Sequence, residues 1–190
     1  MTKTKNVRED FVKPILVLTL ICLVCSGLLA YVNKITKPII RETEERIATE
    51  AMNEVLPDAG GFAKIDVSFP DVYANGDTNY VTEAYKANNG NGYVFQVTGN
   101  GYGGKKTMKL IVGVDPDGKI VETKTLSHSE TAGMGSKTAG DDYRFRWTGV
   151  DATAIDTVDG ISGATFSSGH YKNSMRSVFD AFAYVMNGGK

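Results

Sequence analysis

Asp159-Gly-Ile-Ser-Gly-Ala-Thr165-Phe-Ser-Ser168 is a run of small residues that leads straight into an apolar-periodic stretch near the C-terminus. A turn of this composition at a helix N-terminus presents backbone N–H groups that lack intrahelical partners, and such groups suit a phosphate. Ser167 or Ser168 can cap that helix. The residues alone therefore fit two readings, a simple capped helix and an anion-binding turn.

Two other segments carry chemically useful residue types. Gly99-Asn-Gly-Tyr-Gly-Gly-Lys-Lys106 nearly spells a nucleotide-triphosphate loop, but Lys106 stands where a Ser or Thr would hold magnesium. The segment after it, Thr107–Val114, reads as a strand where that loop requires a helix. A glycine loop within a sheet is the plainer reading, and it could still approach a flat ring closely. Ser127-His-Ser-Glu-Thr-Ala-Gly-Met-Gly135 joins a histidine to an acid two residues on. With His128 and His170 the only two histidines and no third ligand at fixed spacing, a metal site is not expected. Polar residues closed by two glycines describe a binding loop and an ordinary surface loop equally well.

The elements that must position these segments are legible in outline. At 190 residues there is room for one ordinary domain and an appendage. The net charge of -1 argues against a nucleic-acid binder, which needs a basic surface. Both cysteines, Cys22 and Cys25, fall in the apolar N-terminal run, so the rest of the chain can form no disulfide framework, thiolate zinc site or cysteine-ligated cluster by itself. From Pro14 to Val32 no residue is charged. As a helix this run spans about 28 Å, close to the hydrocarbon thickness of a bilayer. It is longer than a signal-peptide core, and Tyr31, Val32, Asn33 and Lys34 make a poor cleavage site, so an uncleaved anchor is expected over residues 14–32. Lys3, Lys5, Arg8 and Lys13 precede it, which favours a cytoplasmic N-terminus (residues 1–13) and an extracytoplasmic remainder.

Pro38 is expected to open a stalk helix within residues 33–57, with Ile40, Ile47, Ala48, Ala51, Met52, Val55 and Leu56 on one stripe. Residues 58–190 then form the domain. Strands are expected over Phe62–Phe69, Tyr80–Ala87, Tyr93–Thr98, Met108–Val114 and Ile120–Leu126, the last two joined through Asp115-Pro-Asp-Gly118. A final helix is expected from about Ser168 to Asn187, buried through Met175, Phe179, Phe182 and Met186 and closed by Gly188-Gly189. The fold class is α+β, an antiparallel sheet with a C-terminal helix packed on it.

Asp159-Gly-Ile-Ser-Gly-Ala-Thr165 resembles the flavinylation motif of the FMN-binding domain family, found in the G subunit of Rnf complexes and the C subunit of sodium-pumping NADH:quinone reductases. Gly101-Tyr-Gly-Gly104 is similar to that family's glycine loop, and His128-Ser-Glu-Thr-Ala-Gly-Met-Gly135 to its His-x-Glu-Thr-Pro-Gly-Leu-Gly segment, with Ala132 and Met134 departing from the usual Pro and Leu. The resemblance covers anchor, stalk, domain and terminal motif, and the compact length is closer to the Rnf G subunit. It implies FMN joined by a phosphoester to Thr165, installed by a flavin transferase that uses FAD as donor. Ser162, Gly163 and Ala164 would line the phosphate. Glu130, Thr131, Tyr102 and Gly103 would stand near the flavin, and Asp159, from its place in the motif, would serve the transferase as a recognition residue or as a metal contact. A threonine hydroxyl is a poor nucleophile without an adjacent base, which fits modification by another enzyme.

The function so implied is an electron relay in the membrane, working with the other subunits of a complex that couples ferredoxin and NAD to ion transport. The chain itself has no nicotinamide fingerprint and no acid–base constellation, so it is not a complete enzyme. Two rival readings are a flavinylated subunit of another respiratory reductase and a non-redox extracytoplasmic scaffold or binding module.

Overall fold

The structure is a computed structural model that describes residues 7–66 and 80–188. The chain divides into two units, Met1–Arg46 and Ile47–Lys190.

Helix α1 runs from Val7 to Val55 with Pro14 and Pro38 inside it. The separate stalk expected to begin at Pro38 is therefore a continuation of the first helix. A proline removes one intrahelical hydrogen bond, and here the chain on either side keeps its helical pattern. Past Pro38, the Thr43 hydroxyl donates to Ile39 O at 2.8 Å and Arg41 pairs with Glu45 at 2.8 Å, both one turn apart. In the first unit the apolar side chains stand open: Leu23 is 66% exposed and Leu29 72%. The helix is long and apolar enough to cross a membrane.

In the second unit, the five strands among the described residues are β1 (Phe62–Ile65), β2 (Tyr80–Ala87), β3 (Tyr93–Gly101), β4 (Gly104–Val114) and β5 (Ile120–His128). They form one antiparallel sheet in sequence order. Strand β1 is shorter than expected, and residues 67–69 lie outside the described residues. Strands β3, β4 and β5 each run further than their apolar pattern, because the ladder continues through the glycines to the pair Gly101↔Gly104 and through the pair Met108↔His128. The Asp115–Gly118 turn joins β4 to β5 as expected, with Gly118 N–H donating to Asp115 O at 3.1 Å and Lys119 N–H to the Asp115 carboxylate at 2.8 Å.

Alternation along β3 and β4 divides the side chains between two cores. On one face Ala51, Met52 and Val55 at the end of α1, with Leu56 just after it, pack with Val94 and Ile111. Ile47, expected on the same stripe, is 41% exposed, and Ile40 is 52% exposed. Glu54 leaves this face to accept from Arg144 at 2.8 Å and from Lys124. The Lys124 and Arg144 hydrogen bonds hold the Glu54 carboxyl below its ordinary value.

On the other face lies helix α3 (Thr165–Met186), where Tyr171, Met175, Val178 and Phe179 pack with Phe95, Leu110, Val112 and Trp147. Each such apolar side chain contributes about 1.5–3 kcal/mol on burial. Phe182 meets Tyr93 edge to face at 5.7 Å. Met186, expected on the buried face, is 53% exposed, while its neighbour Val185 still packs against the core. Gly188 ends the helix at φ 72° with its N–H on Val185 O. Gly189 lies outside the described residues.

The segment between β5 and α3, where no helix or strand is expected from the sequence, is ordered in the fold. It holds two short 3-10 turns, Gly135–Ala139 and Phe145–Trp147, the four-residue helix α2 (Asp141–Arg144) and a third 3-10 turn at Ile155–Thr157. Trp147 anchors this segment: it is fully buried and stacks on Tyr171 at 5.8 Å. Next to it, Gly149 N–H donates to Ile120 O at 2.7 Å and Ile120 N–H to Val150 O at 2.9 Å.

Candidate functional site

The three sequence segments with chemical potential meet at the first turn of α3. That helix begins at Thr165, three residues earlier than expected, with Ala164 as N-cap and no side-chain cap. Ser167 and Ser168 therefore lie inside the first turn and do not cap it. Their hydroxyls are used elsewhere: Ser167 donates to the Glu130 carboxylate, and Ser168 accepts from Ile161 N–H at 3.0 Å. The first-turn N–H groups thus keep no side-chain partner, the arrangement that favours an anion at a helix N-terminus.

The turn before the helix is closed by Ala164 N–H on Ile161 O at 2.9 Å and passes through Gly163 at φ 78°, a conformation that favours glycine. Ser162 and Gly163 are exposed and Ala164 is buried. Arg146 holds the start of the turn, donating to Asp159 O and to Asp142 O, each at 3.2 Å. Thr165 itself is exposed and borders two clefts. One, of about 410 Å³, is lined by Gly160, Ile161, Ser162, Thr165, Ser168, Gly169 and Lys172. The other, of about 200 Å³, is lined by Thr165, Phe166, Gly169, His170 and Asn173.

Tyr102 and Gly103 form the two-residue connection between β3 and β4, so the glycine stretch is a hairpin tip and not a phosphate loop. Tyr102 is 69% exposed and meets Phe166 edge to face at 6.4 Å, and Phe166 in turn meets His170 at 5.0 Å. Glu130 lies behind this aromatic pair. It is buried, and it accepts the Tyr102 N–H at 2.9 Å as well as the Ser167 hydroxyl. A Cβ at Gly101 or at Gly135 would fall on this carboxylate, so both glycines are needed for close approach. Thr131 is exposed, and its carbonyl accepts from Met134 N–H and Ser136 N–H, each at 3.2 Å, to close the loop. His128 Nδ1 accepts the Glu130 N–H at 3.2 Å.

The structure therefore gathers Thr165, Ser162, Gly163, Ala164, Tyr102, Gly103, Glu130 and Thr131 into one region. Sequence reasoning missed Phe166 and Arg146, and it read Ser167 as a candidate cap, not as the donor to Glu130. Phe166 could have been found as a large apolar residue at a helix start with no apolar periodicity to bury it. Nothing in the sequence links Arg146 to the Asp159 carbonyl. As a chemical surface the region offers a hydroxyl, free N–H donors and exposed aromatic edges, a set that fits a phosphate carrying an aromatic ring.

Residues 101–180 match the FMN-binding domain family, and residues 13–55 match the RnfG N-terminal region. The chain is 29% identical over 160 residues to the G subunit of a proton-translocating ferredoxin:NAD(+) oxidoreductase complex from Clostridium ljungdahlii, covering 80% of each chain. It is 29% identical over 181 residues to the G subunit of an ion-translocating oxidoreductase complex from Methanosarcina acetivorans, covering 90% of this chain and 94% of that one. Against the protein of the same name from Shewanella piezotolerans the identity is 27% over 167 residues, covering 85% of this chain and 72% of that one.

Proposed function

Because this chain belongs to the RnfG family of FMN-binding-domain proteins, we propose that it is a membrane-anchored electron-transfer subunit of an ion-translocating oxidoreductase complex, carrying FMN as a phosphoester on Thr165. The observation that carries the reading is the exposed Thr165 hydroxyl at the uncapped N-terminus of α3, with a cleft on either side.

The flavin, when bound, supplies the one- and two-electron chemistry. The chain's own residues bind and orient it. The first-turn N–H groups of α3 and the helix dipole would offset the phosphodiester charge. Ser162, Gly163 and Ala164 give that group a small-residue border, and Tyr102 and Phe166 present aromatic edges to a flat ring. Arg146, on the Asp159 carbonyl, keeps the turn in shape.

A separate transferase with FAD as donor would make the bond: Thr165 Oγ forms the new bond to phosphorus as AMP leaves, and the hydroxyl proton passes to a base of that enzyme. No electrons change hands in this step. The exposed Asp159 side chain is then available for the transferase to recognise. Residues 14–32 would span the membrane, 33–57 would continue as a stalk, and 58–190 would stand outside the cytoplasm, where a covalent link prevents loss of the cofactor. The partners are the other subunits of the complex.

The test is in-gel ultraviolet fluorescence of the denatured chain after co-expression with a flavin transferase, beside Thr165→Ala. Fluorescence that survives denaturation in the parent and is lost in the variant is expected. A dark parent band next to a glowing flavinylated control overturns the proposal.

A further inference from the structure

Glu130 joins three segments far apart in sequence, and both of its carboxylate oxygens are occupied within the protein. Oε1 accepts the backbone N–H of Tyr102 at 2.9 Å, at the tip of the β3–β4 hairpin. Oε2 accepts the hydroxyl of Ser167, in the first turn of α3. The residue is 9% exposed, and a Cβ at Gly101 or at Gly135 would force its carboxylate to shift from this position. A carboxylate placed this way is poorly available to a ligand, and its charge-assisted hydrogen bonds are among the stronger ones a protein makes.

What it holds is an exposed aromatic pair. Tyr102 is 69% exposed and Phe166 64%, yet their rings stand edge to face at 6.4 Å and 89°. Exposed rings gain little from burying each other, so their arrangement depends on the two backbones that carry them. Glu130 ties those backbones together: the hairpin tip through Tyr102 N–H, and the helix start through Ser167, next to Phe166. The cleft of about 200 Å³ bordered by Thr165, Phe166, Gly169 and His170 opens beside this pair.

We infer that Glu130 is a positioning residue that pins the Tyr102–Gly103 hairpin tip to the first turn of α3, holding the Tyr102 and Phe166 rings as a platform for the isoalloxazine ring of a flavin on Thr165. This rests on the reading of Thr165 given above. Glu130 acts through Tyr102 and Ser167 and does not itself meet the flavin. Gln at this position keeps the function, because its carbonyl accepts the Tyr102 N–H and its amide donates to the Ser167 oxygen. Ala leaves the part-buried Tyr102 N–H without its acceptor.

The experiment compares the full-length chain in detergent, co-expressed with a flavin transferase, with Glu130→Ala, Glu130→Gln and Ser167→Ala. Three quantities are read: covalent flavin in the denatured band, flavin fluorescence anisotropy in the native protein, and hydrogen exchange at the Tyr102 amide. In Glu130→Ala, Tyr102 exchange is expected to rise about tenfold, as for a lost charge-assisted bond. The anisotropy of the Thr165-linked flavin is expected to drop toward its value in the denatured chain. Glu130→Gln restores both, and Ser167→Ala, which keeps the Tyr102 bond, gives a partial drop in anisotropy. If Glu130→Ala does not fold, Ser167→Ala decides by its anisotropy.

Native anisotropy equal to the parent's in a loaded Glu130→Ala, or in Ser167→Ala where that variant decides, overturns the inference even if Tyr102 exchange is faster. So does a Glu130→Gln variant that behaves as Glu130→Ala. A parent with no covalent flavin overturns the reading of Thr165 and the platform with it. Tyr102 exchange then still shows whether the latch exists, so the two failures are told apart.

Discussion

Helix α3 is buried in two different ways along its length. From Tyr171 to Ala181 its inner face is mostly apolar and sealed: Tyr171, Met175 and Val178 are fully buried against the sheet, with Trp147 stacked on Tyr171 and Tyr143 edge-on at 5.2 Å, and the buried Ser174 and Ser177 hydroxyls donate to carbonyls of the helix itself. In its first turns the buried side chains are Ser167, Ser168 and His170, while Thr165, Phe166 and Gly169 stand open. The sealed half is held chiefly by area and shape, which are non-directional and large in sum, with the buried Tyr171–Thr123 contact added to them. The open half is held by a few directional bonds, Ser167 to Glu130 and Ile161 to Ser168. The difference teaches where stability and function divide. The aromatic half fixes the helix axis, and the polar half leaves a helix N-terminus, a hydroxyl and two clefts free for a ligand. Substitutions in the two halves should then separate folding from flavin behaviour.

The largest effect belongs to the sealed half. Trp147→Ala should lower stability by about 3–5 kcal/mol, the cost of deleting a fully buried aromatic ring. Denaturant unfolding of the full-length chain in detergent, followed by near-ultraviolet circular dichroism, measures it. A cost below about 1 kcal/mol would mean that this cluster does not fix the helix, and the comparison would fail.

Tyr171→Phe is a finer cut in the same half. The Tyr171 hydroxyl and Thr123 Oγ1 lie 2.7 Å apart inside the core, so the variant leaves Thr123 short of its partner and should cost about 1–2 kcal/mol at neutral pH. Burial pushes the Tyr171 hydroxyl well above its ordinary value, with the Thr123 bond opposing, and burial raises Tyr143 in the same sense. In the unfolded chain both ionise near about pH 10. Above that pH the unfolded state loses protons that the folded state keeps, so stability is intact below it and falls as pH rises through the alkaline range. Tyr171→Phe should reduce that alkaline slope, which unfolding curves taken on either side of about pH 10 would reveal. An unchanged slope would show that Tyr171 is not sealed.

The two halves also differ in how far the sequence discloses them. The sealed half is written in periodic apolar residues, so Met175 and Phe179 and the strands they cover are legible, as is the Asp115–Gly118 turn. Periodicity fails at the margins, where Met186 and Ile47 fit the stripe but stand exposed while their neighbours Val185 and Ala48 pack on the cores. Pro38 misleads because an interior proline and a first-turn proline are the same letter. Thr165 and its small-residue turn are visible as a motif, but the start of the helix is not. Ser167 and Ser168 are good capping types, and only the fold brings Glu130 and Ile161 to their hydroxyls. The role of Glu130 needs Gly101, Gly135 and Ser167 to be brought together, and no local spacing encodes that. Trp147 has no neighbour in sequence that announces it as the anchor of the segment before α3.

Phe166→Ala gives the smallest change in stability and the sharpest contrast. The ring is 64% exposed and meets Tyr102 and His170 only by their edges, so its removal should shift stability by no more than about 0.5 kcal/mol. The helix start remains, since Ala is a good helix former and Ser167 still reaches Glu130. Covalent loading at Thr165 should therefore persist, because the hydroxyl, the turn and the free N–H groups are untouched. What should change is the state of the bound ring, with flavin anisotropy in the native protein falling while the unfolding midpoint stays in place. A variant that lost stability on the scale of Trp147→Ala would place Phe166 in the sealed half after all. One that kept both stability and anisotropy would move the ring to the other cleft, beside Ile161 and Lys172, where Phe166 has no part in holding it.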